Sequence, residues 1–509
     1  MSSRKIPTIL IAVLGILVGV LGTTLVLNIR DRNHNIRASY RDWGKLNVIL
    51  NTAGKYYVDS IRFDEVTDAA VAAALGAMDP HSIYLTPENL KTSEEDLSGN
   101  FEGIGIQFNV PNDTAIVMEV IPGGPAEKIG MLAGDRLIKV GDKVIAGVQF
   151  PQDSMVRRMK GPAGTKVTVT VKRGKETIPF DITRDRIPTH SIDASFMIKP
   201  GVGYIRLSKF AATTCTEFLE NSTKLLSEGM TSLLVDLRDN SGGYFEQAIG
   251  LSDMFLEKGD TIVWVEGRNY PKSISLASGE GHLKDISLTV LINEYSASSS
   301  EIFAGAMQDN HRARIVGRRS FGKGLVQEPF YFTDGSAMRL TVARYFTPSG
   351  RCIQKAYTKD YDYDILHRYE SGELFNSDSV KVENGGIIPD IFVAMDTTKA
   401  GKFYQACNKK ATAMRFASDY FDKNRKTLSA IDNYEKLLSY LDASGLERKF
   451  LDYAKSKDSL VPTAEEWATD KLYIMSQVRA LVGRYSKLGD NAFYHLYLGI
   501  DDTVKAAIR

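Results

Sequence analysis

Between about residues 190 and 395, short apolar segments alternate with segments of helical pattern. The apolar segments are Gly203–Leu207, Leu233–Leu237 and Leu288–Ile292, and the helix-like run Ser299–Gln308 follows the last of them. Alternation of this kind is typical of an α/β domain. The 509 residues exceed the ~150 residues of one average domain, so we expect a multidomain α/β protein.

The regions on either side of this block differ from it in composition. Residues 36–98 have a helical pattern, and residues 99–186 are rich in glycine-punctuated, alternating strands. Residues 397–509 carry Lys, Ala, Leu and Tyr at helical spacing, which predicts a separate C-terminal helical domain and a candidate for homodimer formation. The acidic, tyrosine-rich segment 357–384 is predicted to be an exposed insertion.

The N-terminal segment 6–29 contains no charged residue. It is longer than the ~20 residues that a helix needs to cross a bilayer, and no clear cleavage site follows it. It therefore predicts an uncleaved, single-pass transmembrane signal anchor, with a cleaved long signal peptide as the alternative. We expect the rest of the chain to lie together on the extracytoplasmic, periplasmic side of the membrane.

Charge and cysteine content exclude several classes of function. The chain has 63 Lys and Arg against 62 Asp and Glu, whereas nucleic-acid-binding domains usually carry a strong basic excess. No nucleic-acid partner is therefore expected. The three cysteines and seven histidines are scattered, so neither a disulfide framework nor a metal site is predicted.

The strand-rich region contains a pattern that resembles a PDZ domain. Gly124-Pro-Ala-Glu-Lys-Ile-Gly130 precedes Leu132-Ala-Gly-Asp-Arg-Leu-Ile-Lys-Val140, and a Gly-Ile-Gly-Ile segment lies upstream. Small residues let successive backbone N–H groups converge on a carboxylate, and a bound peptide then adds as a strand at the sheet edge. The resemblance implies that the backbone of this segment binds a peptide carboxylate, through Gly103, Ile104, Gly105 and Ile106.

The α/β region contains a serine cluster between a predicted strand and a predicted helix. A nucleophile gains there from the helix dipole and from free N–H groups, but serine is also an ordinary helix cap. The cluster alone leaves both roles open, and four serines compete for the role of nucleophile: Ser296, Ser298, Ser299 and Ser300.

Two further segments of this region carry residues suited to acyl transfer. Lys323 lies between Gly322 and Gly324, which allow a tight turn that could bury it, and a buried lysine has the lowered pKa that a general base needs. The strand at Leu233 runs into a Gly-Gly turn at Gly242 and Gly243, whose backbone N–H groups could stabilise an oxyanion. A Ser–Lys dyad is a known variant of the nucleophile–base pair.

These segments, with Thr347-Pro-Ser-Gly-Arg351 and Gly386-Ile-Ile-Pro-Asp390, resemble the carboxyl-terminal processing peptidases, or tail-specific proteases, over about residues 40–392. The resemblance implies a crotonase- or ClpP-like α/β catalytic domain at 190–395. It also implies the site residues. The nucleophile is Ser298, the base is Lys323, Gln327 orients the lysine, and the oxyanion donors are the backbone of Ser299 and of Gly242 or Gly243.

The expected function is that of a membrane-anchored serine endopeptidase that needs no cofactor. Its PDZ domain holds the exposed C-terminal tail of a protein substrate, and the Ser–Lys dyad cuts the substrate through an acyl-enzyme. His311 is not expected to act with Ser298, because 13 helical residues separate them by about 20 Å. The alternative is a catalytically inactive PDZ scaffold that binds protein C-termini.

Overall fold

The computed structural model of the chain describes the following residues: 44–110, 113–358, 361–379, 385–397 and 401–508. The predicted anchor at 6–29 lies outside them. Among the helices of the described residues, none is long and apolar enough to cross a membrane. The chain divides into two compact units, of which one ends at Ala74 and the other begins at Leu75.

The first unit contains α1 and most of α2, and all other elements belong to the second unit. The strands are β1 (Ile83–Leu85), β2 (Asn100–Gly103), β3 (Ile106–Asn109), β4 (Ala115–Val120), β5 (Arg136–Val140), β6 (Lys143–Val144), β7 (Lys166–Arg173), β8 (Glu176–Thr183), β9 (Asp185–Pro188), β10 (Ile192–Lys199), β11 (Val202–Leu207), β12 (Ser232–Asp236), β13 (Thr261–Gly267), β14 (Tyr270–Leu276), β15 (Ser287–Ile292), β16 (Ala313–Gly317), β17 (Leu325–Tyr331), β18 (Ala337–Phe346) and β19 (Ile391–Phe392). The helices are α1 (44–56), α2 (Phe63–Gly76), α3 (Pro87–Ser98), α4 (Pro125–Lys128), α5 (Gln152–Met159), α6 (Thr214–Ser227), α7 (Phe245–Asp253), α8 (Ser299–Asp309), α9 (Asp364–Glu370), α10 (Lys402–Lys409), α11 (Thr412–Leu428), α12 (Tyr434–Ala443), α13 (Leu446–Asp458), α14 (Ala464–Arg484), α15 (Gly489–Tyr497) and α16 (Asp502–Ala507).

A six-stranded sheet forms the centre of the α/β region, in the order β10-β11-β12-β15-β16-β19. β10 is antiparallel to β11, and the other neighbours are parallel. Its central strands are apolar because both faces are covered, as parallel sheets require. α8 follows β15 and is buried along nearly its whole length, from Ser299 to Met307. The serine cluster therefore lies at the carboxyl end of β15, where this central strand leads into α8.

A second sheet has the order β1-β18-β13-β14, with β17 also paired to β18. β1 lies in the region predicted to be helical, at residues 36–98, so that prediction missed a strand. Ile83 pairs with Arg339 and Leu85 with Ala337. The partner strand lies about 250 residues away along the chain, and no local pattern contains that information.

The PDZ region is a sheet of strands in the order β3-β4-β5-β7-β8, with β6 paired to β5. It has a core of its own, which includes Val117, Leu137 and Val169. β2 pairs with β9 in a separate two-stranded ribbon at the two ends of the region. The PDZ sheet is thus inserted into the chain between α3 and the α/β sheet.

The C-terminal region is helical, as predicted, and its helices pack around one core, which two residues of the PDZ sheet join. Ile116 and Met118 of β4 share a core with Phe416 and Phe421 of α11. At the end of the chain, α16 shares another core with the α/β sheet, including Leu291, Val316, Val504 and Ala507. The spacing of apolar residues predicts an apolar helix face without showing what covers it.

The segment 357–384 is exposed at many of its described residues, as its composition predicts, but a few of its side chains anchor it in the protein. Arg368 is only 3% exposed and Leu374 only 1%. The carboxylate of Glu373 accepts hydrogen bonds from both Arg319 (2.8 Å) and Arg368 (2.7 Å). Burying a charged side chain is unfavourable unless it has a partner of opposite charge. The buried charged side chains of this segment have such partners.

Candidate active site

Ser298 lies at the sharp turn between β15 and α8. Its backbone has φ 57° and ψ −117°, which a residue with a side chain rarely adopts. Its backbone N–H donates to the Glu301 carboxylate at 2.9 Å. Ser298 itself is half-buried.

The other three serines of the cluster are buried and bonded to backbone carbonyl groups. The Ser296 hydroxyl donates to Leu237 O at 2.8 Å, that of Ser299 to Gly243 O at 3.0 Å, and that of Ser300 to Asn240 O at 2.9 Å. Their hydroxyl protons have structural roles. The structure thus distinguishes Ser298 from the three alternatives that the sequence left open.

Glu301 connects the serine turn to the lysine loop. The carboxylate is fully buried and accepts hydrogen bonds from Ser298 N, Ser320 Oγ, Gly322 N (2.7 Å) and Lys323 N (2.8 Å). Burial raises the pKa of Glu301, and these hydrogen bonds oppose the rise. One carboxylate therefore holds the backbone of Ser298 and that of Lys323 together.

Lys323 lies in the loop before β17, and its side chain is largely buried. Burial lowers the pKa of Lys323, and the positive charge of Arg339 lowers it further, against the opposing charge of Glu301. Its carbonyl oxygen accepts a hydrogen bond from the Tyr345 hydroxyl, which also bonds the Ser298 side chain. Tyr345 is 1% exposed, so it forms a second, buried link between the two predicted dyad residues.

Gln327 lies on β17, close in sequence to Lys323. Its carboxamide donates to the His81 carbonyl oxygen at 2.6 Å. The imidazole of His81 in turn hydrogen-bonds the Tyr361 hydroxyl at 2.5 Å. The role of orienting Lys323, which the family resemblance implies for Gln327, stays a prediction.

A cleft of about 540 Å³ opens beside the serine turn. Its lining residues are His81, Asp239, Ser241, Tyr295, Ala297, Phe321 and Lys323. Both predicted catalytic segments therefore border one cavity. His311, by contrast, is exposed beyond the far end of α8, as predicted.

The Gly-Gly turn, defined here as residues 237–243, packs directly on the serine turn. A Cβ atom at Gly242 would lie 2.7 Å from Ser298 Cβ, and one at Gly243 would lie 2.1 Å from Phe210 O. Only glycine fits at either position. Asn240 supports the turn from within, since its side chain donates to Leu207 O at 2.8 Å and accepts from Gly242 N at 2.8 Å.

The predicted oxyanion donors differ in their hydrogen bonds. The Gly242 N–H is already bonded to Asn240. Within the part of the chain that the structure describes, the N–H groups of Gly243 and Ser299 have no protein acceptor. Of the two glycines that the sequence left open, Gly243 is thus the one with a free donor.

The Gly-Ile-Gly-Ile segment borders a groove of about 340 Å³ on the PDZ domain, beside α5. Gly105 has φ 80°, which favours glycine. The groove is lined by Phe101, Ile104, Gly105, Ile106, Gln107, Phe108, Gln152, Val156, Met159 and Lys160. An open strand edge beside a helix is the geometry into which a peptide strand can add.

Three residues of the site were not predicted from the sequence: Glu301, Tyr345 and His81. Glu301 follows Ser298 by three residues, and this Ser-x-x-Glu spacing is the known signature of a helix N-terminus. That spacing could have identified it. Tyr345 and His81 reach the site from remote segments, and no local pattern indicates this. Among the described residues, no cluster of three or more His, Cys, Asp or Glu side chains is arranged to hold a metal ion.

Three family models match separate parts of the chain. Peptidase family S41 matches residues 201–365, the PDZ domain matches 103–183, and a family of unknown function (DUF8443) matches 403–486. A Staphylococcus aureus protein with the name "Probable CtpA-like serine protease" is 33% identical over 347 residues, which are 67% of this chain and 69% of that protein. The chain belongs to the carboxyl-terminal processing peptidase family. The family resemblance seen in the sequence is confirmed.

Two further proteins are similar to the chain. A Staphylococcus epidermidis protein of the same name is 33% identical over 311 residues, or 61% of this chain. The match spans 62% of that relative, which is less than two thirds of its length. The photosystem II D1 C-terminal processing protease is 26% identical, with a TM-score of 0.38, over 69% of this chain and 86% of that one. The S41 and PDZ family models cover parts of the α/β and PDZ regions of the chain.

Proposed function

We propose that the chain is a serine endopeptidase that cuts protein substrates whose C-terminal tails its PDZ domain binds. One observation carries the proposal. Within the described residues, Ser298 is the serine of its cluster whose hydroxyl is not bonded to a backbone carbonyl, and its backbone N–H shares the Glu301 carboxylate with that of Lys323 beside one cleft. Family membership and the S41 match support the same chemistry.

Lys323 acts as the general base and Ser298 as the nucleophile. Burial favours the neutral amine of Lys323, which takes the proton from Ser298 Oγ as that oxygen attacks the scissile carbonyl carbon. The ammonium then gives this proton to the leaving amine as the C–N bond breaks. A water molecule, deprotonated by the same amine, attacks the acyl-enzyme. The bond from the acyl carbon to Ser298 Oγ breaks, Lys323 returns the proton to Oγ, and the new C-terminus is released.

The oxyanion accepts hydrogen bonds from the N–H groups of Gly243 and Ser299. Both donors are free of protein acceptors in the described residues, Ser299 directly follows Ser298, and the Ser299 hydroxyl donates to Gly243 O at 3.0 Å. Removal of one such donor lowers kcat by about 10²–10³ in other serine peptidases. Gly242 lets the Gly-Gly turn pack directly against Ser298 and Ser299.

The PDZ groove recognises the end of the substrate. The backbone N–H groups at Ile104 to Ile106 receive the terminal carboxylate, and the apolar lining of Ile106, Val156 and Met159 takes the last side chain. The upstream segment of the tail then reaches the cleft beside Ser298. Amidation of the tail removes the negative charge that this site binds.

The apolar segment 6–29 anchors the enzyme in a membrane, with the catalytic domain on the extracytoplasmic side. The support is the length of the uncharged run. Retention in the membrane pellet after alkaline carbonate extraction tests this part of the proposal. Release into the supernatant would contradict it.

The decisive experiment uses the full-length chain in mild detergent with a loosely folded protein substrate and mass spectrometry of the products. We expect wild type to cut, and Ser298→Ala and Lys323→Ala to lose at least 10³-fold in rate. Ser252→Ala is the control, because its buried hydroxyl bonds only its own helix at Ala248 O (2.7 Å) and should leave the rate unchanged.

Each outcome assigns or removes a role. Cleavage by Ser298→Ala at the wild-type rate would show that Ser298 is not the nucleophile. Peptides that bind but are never cut would favour the inactive PDZ scaffold. A peptide with an amidated C-terminus should show a raised KM with kcat unchanged, and an unchanged KM would remove the PDZ groove from substrate recognition.

A further inference from the structure

Asp501, near the end of the chain, contacts the Gly-Gly turn. Its Oδ1 atom accepts the Val504 N–H at 3.0 Å and so caps α16. Its Oδ2 atom accepts a hydrogen bond from Arg238 Nη1 at 2.7 Å. Asp501 lies outside the residues that the S41, PDZ and DUF8443 models match. A residue of the C-terminal helical region thus reaches the turn that carries Gly242 and Gly243.

Arg238 is held between two carboxylates. Besides Asp501, it donates from Nε to Asp236 Oδ1 at 2.9 Å and from Nη2 to Asp236 Oδ2 at 2.6 Å. Asp236 ends β12 and is fully buried. Burial raises the pKa of Asp236, but the charge and hydrogen bonds of Arg238, together with the charge of Arg206 and a hydrogen bond from Tyr204, bring the pKa down to about 2. Asp236 and Arg238 are therefore both charged at neutral pH.

A second arginine joins the same parts of the molecule. Arg206 Nη2 donates to Asp239 Oδ2 at 3.3 Å, and its guanidinium lies 5.1 Å from the centre of the Tyr494 ring on α15. Asp239 has φ 63°, so the turn adopts a strained conformation at the residue that Arg206 contacts. Two consecutive residues of the turn, Arg238 and Asp239, thus form hydrogen bonds with side chains outside the turn.

The support for Asp501 is rigid. Val504 and Ala507 of α16 are buried in one core with Leu291 of β15 and Val316 of β16. The capped helix is therefore fixed to the same sheet that carries the serine turn. A side chain held in this way can position its partner, because its own rotamer is locked by packing.

We propose that Asp501 is a positioning residue for the oxyanion donors, and that the end of the C-terminal helical region acts through Arg238 to fix the Gly-Gly turn against Ser298. The inference rests on the proposed peptidase function. Without the Asp501 carboxylate, Arg238 still donates to Asp236, but its Nη1 atom loses its hydrogen-bond acceptor. The turn then moves more freely, and the Gly243 N–H spends less time at the oxyanion.

The variant Asp501→Ser tests this, because serine caps a helix as well as aspartate does but cannot reach Arg238. Asp501→Asn keeps the cap and an acceptor but loses the charge. Asn433→Ala is the matched control, since Asn433 caps α12 in the same region by accepting Lys436 N at 2.9 Å. All variants are made in the full-length chain.

Two measurements separate positioning from folding. The first is hydrogen–deuterium exchange of the 237–243 peptide in the Ser298→Ala background, which should accelerate at least fivefold in Asp501→Ser but not in Asn433→Ala. The second is steady-state kinetics with a tail-bearing peptide. We expect kcat to fall about tenfold in Asp501→Ser and about threefold in Asp501→Asn. KM should stay within twofold of wild type in Asp501→Ser. The reason is that a displaced donor stabilises the transition state less, while it has less effect on the binding of the substrate.

A peptidyl boronate, which forms a tetrahedral adduct on the serine, should bind Asp501→Ser about tenfold more weakly. Unchanged exchange in Asp501→Ser would overturn the inference, and so would an equal fall of kcat in Asn433→Ala. Faster exchange together with no cleavage by wild type would uphold the positioning of the turn and contradict the proposed function instead. The two proposals therefore fail in different measurements.

Discussion

Ser298 keeps a backbone conformation that is unfavourable for a residue with a side chain. A φ of 57° with ψ of −117° costs of the order of 1–3 kcal/mol, which the surroundings must supply. The hydrogen bond from Ser298 N to the buried Glu301 carboxylate provides part of it. At the scale of single residues, the site therefore depends on Glu301 as much as on the dyad.

Replacement of Glu301 by Gln should disrupt both halves of the site at once. The new NH₂ group would face backbone N–H donors, which leaves some of them without an acceptor in a buried place. We expect the free energy of unfolding to fall by about 3 kcal/mol and kcat to fall more than 100-fold. Asp309→Asn is the control at the other end of α8, where the carboxylate accepts Ser349 N at 3.0 Å. Urea denaturation and peptide hydrolysis measure the two effects, and full activity in Glu301→Gln would contradict the role assigned to Glu301.

The lowered pKa of Lys323 predicts how the rate depends on pH. Only the neutral amine is a base, so kcat/KM should rise with pH and level off above the pKa of Lys323. Because burial lowers that pKa, the midpoint should lie below the ordinary lysine value of about 10.4. Lys323→Arg should be inactive at every pH, since a guanidinium stays protonated. Lys284→Arg, which changes a lysine bonded to Gly279 O, should keep the wild-type profile.

At the scale of secondary-structure elements, β5 of the PDZ domain is tied to α11. The Arg136 guanidinium donates to Asp422 Oδ2 at 2.7 Å and also pairs with Asp419. Arg425 of α11 returns a hydrogen bond to Ala133 O at 2.8 Å. The Arg136 and Asp422 side chains are 21% and 10% exposed, so water screens this pair less than a surface pair.

A double-mutant cycle of Arg136→Ala and Asp422→Ala should give a coupling energy of about 1–2 kcal/mol. The comparison is the pair of Lys436 on α12 and Asp432 just before this helix, whose side chains are 62% and 65% exposed. Its coupling should stay below about 0.5 kcal/mol. Chemical denaturation of the four proteins of each cycle measures the two values. Equal coupling in both cycles would show that the Arg136 bridge is no more than a surface contact.

At the scale of the whole molecule, the helical region joins the PDZ domain to the α/β sheet. Ile116 of the PDZ sheet lies in a core with α11 and α14, while α16 lies in a core with the α/β sheet. A domain that is joined to the rest of a protein only by a flexible linker can unfold alone. A domain that shares a hydrophobic core with its neighbour tends to unfold together with it. Because Ile116 and Met118 join the helical core, we expect the PDZ sheet and the adjacent helices to open together.

Ile116→Ala should therefore lower hydrogen-exchange protection in two regions at once. Ile116 is 3% exposed, so its truncation should cost about 3 kcal/mol. We expect the amides of β4 and of α14 to lose the same amount of protection, and those of β12 and β15 to keep theirs. Loss confined to the PDZ strands would mean that the helices are stable without them.

The sequence predicts the parts of this structure that local patterns encode. The serine turn, the Lys323 loop and the Gly-Gly turn each consist of adjacent residues, and each is where its pattern indicates. The links between them could not be predicted. Tyr345 reaches Lys323 from β18, His81 reaches Gln327 from the segment before β1, and Asp501 reaches Arg238 from the end of the chain. Such contacts depend on how elements pack, and a single sequence does not contain that information in any one segment.

The close approach of Gly242 to Ser298 gives a rule for judging other members of the family from sequence alone. A methyl group at position 242 would have to occupy space within 2.7 Å of Ser298 Cβ and 2.9 Å of Ser299 N. No rotamer change relieves such an overlap, because the neighbouring atoms belong to the backbone or lie directly on it. A homologue that carries any other amino acid there has moved or abandoned its nucleophile, even where the serine and the lysine are still encoded.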